Sequence, residues 1–124
     1  MSIINKFKLM LSKVRVAQRS KKKKLKLKIF SVDLLLLDVL WRNGFIYGYN
    51  KIKDNYLIFL KYDLQGWGIL DSTIFLDSKL TNRQFKTLLL LDAHYSYLVL
   101  TCKGIFIYSI SNSVEHAGRL IAKF

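Results

Sequence analysis

The sequence contains no proline, one cysteine and two histidines in 124 residues. A single cysteine, Cys102, cannot form an internal disulfide or a cysteine-based zinc cluster. His94 and His116 lack the spacing of metal ligands, so we expect no metal and no other cofactor. No uncharged apolar run reaches the roughly 18 residues that a membrane-spanning helix needs. The sequence therefore predicts no membrane span.

Acidic residues are also scarce, with eight against 21 basic residues. They are scattered and mostly lie beside turns, where aspartate is favoured for local reasons. No serine or cysteine nucleophile has a histidine and an acid near it in sequence, and no glycine-rich phosphate loop is present. We therefore predict that the protein is not an enzyme and has no small-molecule substrate.

Positive charge is concentrated at one end of the chain. The first 28 residues hold eleven of the basic side chains and no acid, while the whole chain carries a formal charge of +13. The remainder is therefore close to neutral. Such a block repels itself unless a polyanion neutralises it, and the candidates are nucleic acid and an anionic membrane surface.

The first part of the chain predicts helix, strand and helix. Apolar residues recur at helical spacing from Ile3 to Val14, which indicates an amphipathic helix. A basic loop is expected over residues 17–23. Lysine and apolar residues then alternate over residues 24–29, which predicts a half-buried strand with a lysine face. A second, buried helix over residues 34–41 is predicted to begin after Ser31 and to end at Asn43-Gly44.

The rest of the chain predicts mostly strands. Two strands, over 45–52 and 56–62, flank a turn at Asp54-Asn55, and a third near 67–70 would complete an antiparallel meander. In the second half we expect a polar loop at 77–82, a short extended segment at 83–86, and a segment at 88–91 that fits helix or strand. Strands at 95–101 and 105–110 around a tight turn, a short helical turn at 111–116 and a closing strand at 119–124 would follow.

These elements predict an α+β fold of two small halves. The first half, residues 1–72, would combine helix–strand–helix with the meander. The second half, residues 73–124, would be mainly β with a short helix.

The basic segment predicts an RNA-binding surface rather than a merely solvated run of charge. One helix face, one loop and one strand face all present cations, and such a shaped surface suits a phosphate backbone. Lysine supplies point charges rather than base-reading forks, so this surface should provide affinity more than sequence choice. The predicted contacts here are Lys13, Arg15, Arg19, Lys21, Lys22, Lys23, Lys24, Lys26 and Lys28.

Several segments, in order along nearly the whole chain, resemble one family. Met10-Leu11-Ser12-Lys13-Val14-Arg15 is similar to a first-helix signature Met-Leu-Thr-Arg-Ile-Arg. Leu60-Lys61-Tyr62 matches Leu-Lys-Tyr, and residues 40–46 are similar to Leu-Lys-Glu-Glu-Gly-Phe-Ile. Residues 78–85 are similar to Ser-Arg-Pro-Gly-x-Arg-x-Tyr. Residues 100–104 fall on Ser-Thr-Ser-Lys-Gly, and residues 117–121 on Gly-Gly-Glu-Leu-Leu. These are motifs of the bacterial-type small-subunit ribosomal protein S-eight family.

The resemblance implies two small α/β halves and a structural role in the small ribosomal subunit. A member would bind small-subunit rRNA, help organise its central domain, and contact neighbouring small-subunit ribosomal proteins. The family's main recognition loop falls on Thr101, Cys102, Lys103 and Gly104, and Lys79 with Arg83 would help to set the docking site. The chain departs from the pattern at Leu100 and Cys102, where the family has serine; a thiol is the weaker hydrogen-bond donor.

The same departures, with a composition rich in residues that have A- and T-rich codons, indicate an organellar ribosome. We expect a mitochondrial matrix location, and an organelle-encoded protein would need no transit peptide. Two other functions also fit the basic segment. The protein could be a peripheral membrane protein anchored by its basic amphipathic helix. It could also be an imported small enzyme from which this segment is cleaved.

Overall fold

Three helices and two antiparallel sheets form the described part of the chain, which confirms the predicted α+β class. The structure is a computed structural model that describes residues 3–29, 31–109 and 116–124. The chain divides into two compact units, Met1–Thr73 and Ile74–Phe124. The second unit is mainly β, as expected.

The first unit begins with helix α1, Ile3–Arg19, whose apolar stripe is buried. The helix extends into the residues predicted as loop and stops where Lys21 takes a left-handed conformation (φ 58°). The Lys21 N–H donates to the Gln18 carbonyl at 3.0 Å, and the Lys22 N–H to the Ala17 carbonyl at 3.1 Å. This pair of bonds is the Schellman helix end. The basic loop is therefore shorter than predicted, covering residues 20–23.

Helix α2, Ser31–Arg42, ends in the same way, with Gly44 at φ 79°. The Gly44 N–H donates to the Trp41 carbonyl and the Phe45 N–H to the Leu40 carbonyl. Glycine has no Cβ and takes this conformation at no steric cost. The predicted helix end at Asn43-Gly44 is confirmed.

The first sheet has the strand order β1-β3-β2, with β1 at Lys24–Leu27, β2 at Ile46–Ile52 and β3 at Asn55–Leu60. The predicted third strand near 67–70 is wrong, because that segment forms turns apart from a single bridge between Tyr62 and Gly68. The Asp63 carboxylate accepts the backbone N–H groups of Gln65 and Trp67. The strand β1 takes the free edge of β3 instead, antiparallel to it.

The second unit forms a sheet of order β4-β7-β5-β6 with helix α3. Its strands are β4 (Ile74–Leu80), β5 (Tyr97–Thr101), β6 (Gly104–Tyr108) and β7 (Gly118–Lys123), and α3 covers Asn82–Leu91. A buried cluster that includes Phe85, Tyr97 and Val99 forms its core. The predicted hairpin turn and closing strand are confirmed.

Two predictions for the second unit are wrong. The polar loop expected at 77–82 is largely strand β4, in which Asp77 forms an ion pair with Arg119 of β7 at 2.6 Å. The segment expected to be extended at 83–86 lies inside α3, which also covers the ambiguous 88–91. Thr81 and Gln84 form a reciprocal capping box that starts this helix.

Residues 110–115, which hold most of the helical turn predicted at 111–116, lie outside the described residues. None of the helices described is both long and apolar enough to cross a membrane.

Candidate nucleic-acid interface

The strand β1 presents its lysines on the exposed side of the first sheet. Lys24 and Lys26 are exposed, while Leu25 and Leu27 between them are half-buried, so the predicted lysine face is confirmed. Lys24 lies opposite Phe59 of β3, with its ammonium 5.8 Å from the centroid of that ring. Lys28, just past the strand, is exposed too. A short edge strand thus forms a row of cations.

Helix α1 and the loop at 20–23 carry further exposed lysines. A groove of about 340 Å³ is lined by residues of α1, the loop and β1, among them Lys13, Lys22 and the apolar Leu25. We use the term basic face for six exposed lysines that, within the described residues, form no ion pair. They are Lys13, Lys22, Lys23, Lys24, Lys26 and Lys28.

The three other cations predicted to contact phosphate here are bound within the first unit. The Arg15 guanidinium donates to the Thr73 carbonyl at 3.0 Å. Arg19 forms an ion pair with Asp71 at 2.8 Å. Lys21 donates to the Gly66 carbonyl at 2.7 Å. These contacts position α1 and the following loop, and they leave the basic face consisting of lysines alone.

A buried glutamine and a tyrosine brace this loop. Gln18, at 0% exposure, donates to the Lys61 carbonyl at 3.0 Å and accepts the Leu70 N–H at 3.1 Å. The Tyr62 hydroxyl donates to the Lys22 carbonyl. Burial, and secondarily the negative charge of Asp71, raises the pKa of Tyr62 above its ordinary value, at which the hydroxyl is already protonated at neutral pH.

The turn predicted for RNA recognition is the two-residue connection between β5 and β6. Thr101, 9% exposed, donates its hydroxyl to the Gly104 carbonyl at 3.0 Å and accepts the Lys103 N–H at 3.1 Å. Its hydroxyl therefore shapes the turn. Cys102 and Lys103 are exposed at the tip, and Gly104 has φ +129°.

The remaining two predicted residues lie on other elements of the second unit. Lys79 is exposed on β4, opposite Arg119 of β7. Arg83 is exposed in the first turn of α3. Both are available to a ligand of the second unit.

Sequence reasoning missed Gln18, which fixes the end of α1, and Asp63, which closes the turn at 63–67. Gln18 continues the buried helical spacing of Val14 by four residues, and a polar residue on such a stripe signals a buried hydrogen bond. Asp63 stands two residues before Gln65-Gly66, which is the pattern of a side-chain-closed turn. Trp67 follows Gln65-Gly66 directly, and no local sequence pattern predicts that its side chain is exposed.

No group of three or more metal-ligating side chains occurs in the described ranges. A scan against protein-family models finds no match to the sequence. A search of curated proteins also finds no match.

Proposed function

We propose that the protein is an rRNA-binding structural component of the small ribosomal subunit of mitochondria. The observation that carries the proposal is the basic face: six exposed lysines on one helix, one loop and one strand, without acidic partners among the described residues. Cations concentrated in residues 13–28 repel one another, and a polyanion would stabilise them.

The chemistry of this face favours a phosphate backbone. Each ammonium is a compact point charge on a flexible stem, which suits phosphate oxygens at many positions and reads no base. Phe59 lies beneath Lys24 on one side of β1, and Lys13 and Lys22 line the groove on the other side, beside α1. The ordered S-eight-like motifs support the choice of small-subunit rRNA as the polyanion.

Salt dependence of RNA binding tests the phosphate contacts. Six contacts should give a slope of log affinity against log salt of about −4 to −5. Replacing Lys24, Lys26 and Lys28 together by glutamine should bring the slope about 2 to 3 units closer to zero. Replacing Lys51, Lys53 and Lys86, which lie outside the basic face, is the matched control and should change it less. A flat salt response of the wild-type protein would sink the proposal.

Sedimentation tests the ribosomal assignment. Mitochondrial lysate is resolved on a sucrose gradient, and the protein should co-migrate with the small subunit. Treatment with ribonuclease before the gradient should release it to the top. Migration at the top in both gradients contradicts the assignment, even where the purified protein binds RNA.

A further inference from the structure

Both tryptophans of the first unit are exposed, Trp41 at 53% and Trp67 at 59%, and Trp67 lies against Lys21 of the basic loop. Trp67 is 59% exposed, in a turn segment of residues 63–67. An indole buries a large apolar area when it is packed, so this position forgoes much of that stabilisation. Leu64, in the same turn, is fully exposed.

The turn that carries Trp67 is rigidly closed. The Asp63 carboxylate accepts the backbone N–H groups of Gln65 and Trp67, each at 2.9 Å. The Asp63 N–H donates to the Trp67 carbonyl at 2.8 Å. The backbone on either side of the indole is thus fixed before any ligand arrives, which lowers the entropy lost on binding.

Lys21 joins this turn to the basic loop. Its ammonium lies 4.9 Å from the centroid of the Trp67 ring and 5.9 Å from that of Tyr62. It also donates to the Gly66 carbonyl. Lys21 occupies the left-handed position of the helix end, where glycine is the usual residue. A lysine in this conformation has a conformational cost, and its side chain is held by the Gly66 carbonyl and the two rings.

We propose that Trp67 is a stacking site for an unpaired nucleobase whose flanking phosphates lie on Lys22 and Lys23. Both lysines are exposed, and they follow Lys21 directly in the chain. An exposed aromatic ring next to a track of cations is the arrangement that binds single-stranded nucleic acid, since every base has a π-face. Bases inside a duplex are already stacked, so the ligand is a loop, bulge or end of RNA. The inference rests on the proposed RNA-binding function.

The test compares two RNAs on the wild-type chain and on three variants of it. The RNAs are a single strand of about 12 nucleotides, close to the size of one binding site, and a duplex of the same strand. Trp67→Ala should weaken single-strand binding by about 5- to 150-fold and duplex binding by less than about twofold. Trp67→Phe should restore most of the loss, and Trp41→Phe is the control.

A fluorescence measurement keeps the test independent of the alanine variant's folding. The chain has two tryptophans, so Trp41→Phe leaves Trp67 as the sole indole. Stacking of a base should quench its emission on addition of single strand and not of duplex. Unchanged emission at saturating single strand overturns the inference.

The remaining outcomes separate this inference from the function beneath it. Equal losses on both RNAs, or no loss on either, overturn the stacking site while RNA binding stands. A wild-type protein that binds neither RNA overturns both. Vesicles containing phosphatidylserine form the last arm: binding that depends on Trp67, in a protein that binds no RNA, would assign the exposed indole to a membrane interface and overturn the inference.

Discussion

The hydrogen bonds of Gln18 support a prediction about what holds the basic loop in place. Its side chain lies fully buried near the end of α1 and bonds to two backbone groups of residues 61–70. Replacing Gln18 by leucine keeps the side chain about the same size and removes both polar atoms. The Leu70 N–H then loses the acceptor it has in this structure. The Lys61 carbonyl keeps one donor, the Ile69 N–H at 3.1 Å.

The two losses differ in size because only one of them leaves an orphaned group. A buried, unsatisfied N–H costs about 1–3 kcal/mol. The lost bond to the Lys61 carbonyl adds about 0.5–1.5 kcal/mol, the net value of one hydrogen bond. The free energy of unfolding of the first unit should therefore fall by about 2 to 4 kcal/mol in Gln18→Leu.

Urea denaturation followed by tryptophan fluorescence measures this change in the right unit. Trp41 and Trp67, the two tryptophans of the chain, both lie in Met1–Thr73. Gln65→Leu is the matched control, because Gln65 is exposed and its side chain should matter by less than about 0.5 kcal/mol. If the free energy of unfolding of Gln18→Leu lies within about 0.5 kcal/mol of the wild-type value, the proposed brace is refuted.

The remaining predictions concern the second unit and are measured by thermal melts followed by circular dichroism. A Cβ added at Gly118 would lie 2.4 Å from the Leu100 carbonyl oxygen, so Gly118→Ala should destabilise the sheet by about 1–3 kcal/mol. An unchanged melting temperature would contradict the close packing of Gly118 against Leu100. Thr81→Ala should cost about 1 kcal/mol through loss of the α3 cap. The control is Thr87→Ala in the same helix, and equal effects of the two would contradict a role for the cap.

Local patterns predicted the elements whose own residues determine them. The alternation over residues 24–29 specified a strand and its exposed face, and Asn43-Gly44 specified a helix end. The polar sequence around Asp77 predicted a loop where the structure has strand β4. That strand is stabilised by pairing with β7, which lies far along the chain. The start of α3 was readable in principle, since Thr81 and Gln84 carry the capping-box spacing.

The candidate site was predictable in outline and not in detail. Sequence reasoning identified the charged segment, but it could not separate cations bound within the unit from those left for a ligand. The partners of Arg15, Arg19 and Lys21 lie 58, 52 and 45 residues away in the chain. Such pairings depend on the tertiary fold, and no local pattern records them. The exposure of Trp67 is unpredictable for the same reason.

The division between arginine and lysine in the basic segment bears on where the proposed RNA binding would obtain its specificity. Both arginines, Arg15 and Arg19, are directed at oxygen atoms of the first unit, which suits the fixed fork of the guanidinium. Arginine is also the commonest reader of base edges, and the basic face has none. That face should therefore give salt-dependent affinity with little sequence choice, and stacking on Trp67 would add a preference for unpaired RNA. Under the proposed function, discrimination among sequences would fall to the second unit, where Cys102 and Lys103 are exposed at the hairpin tip.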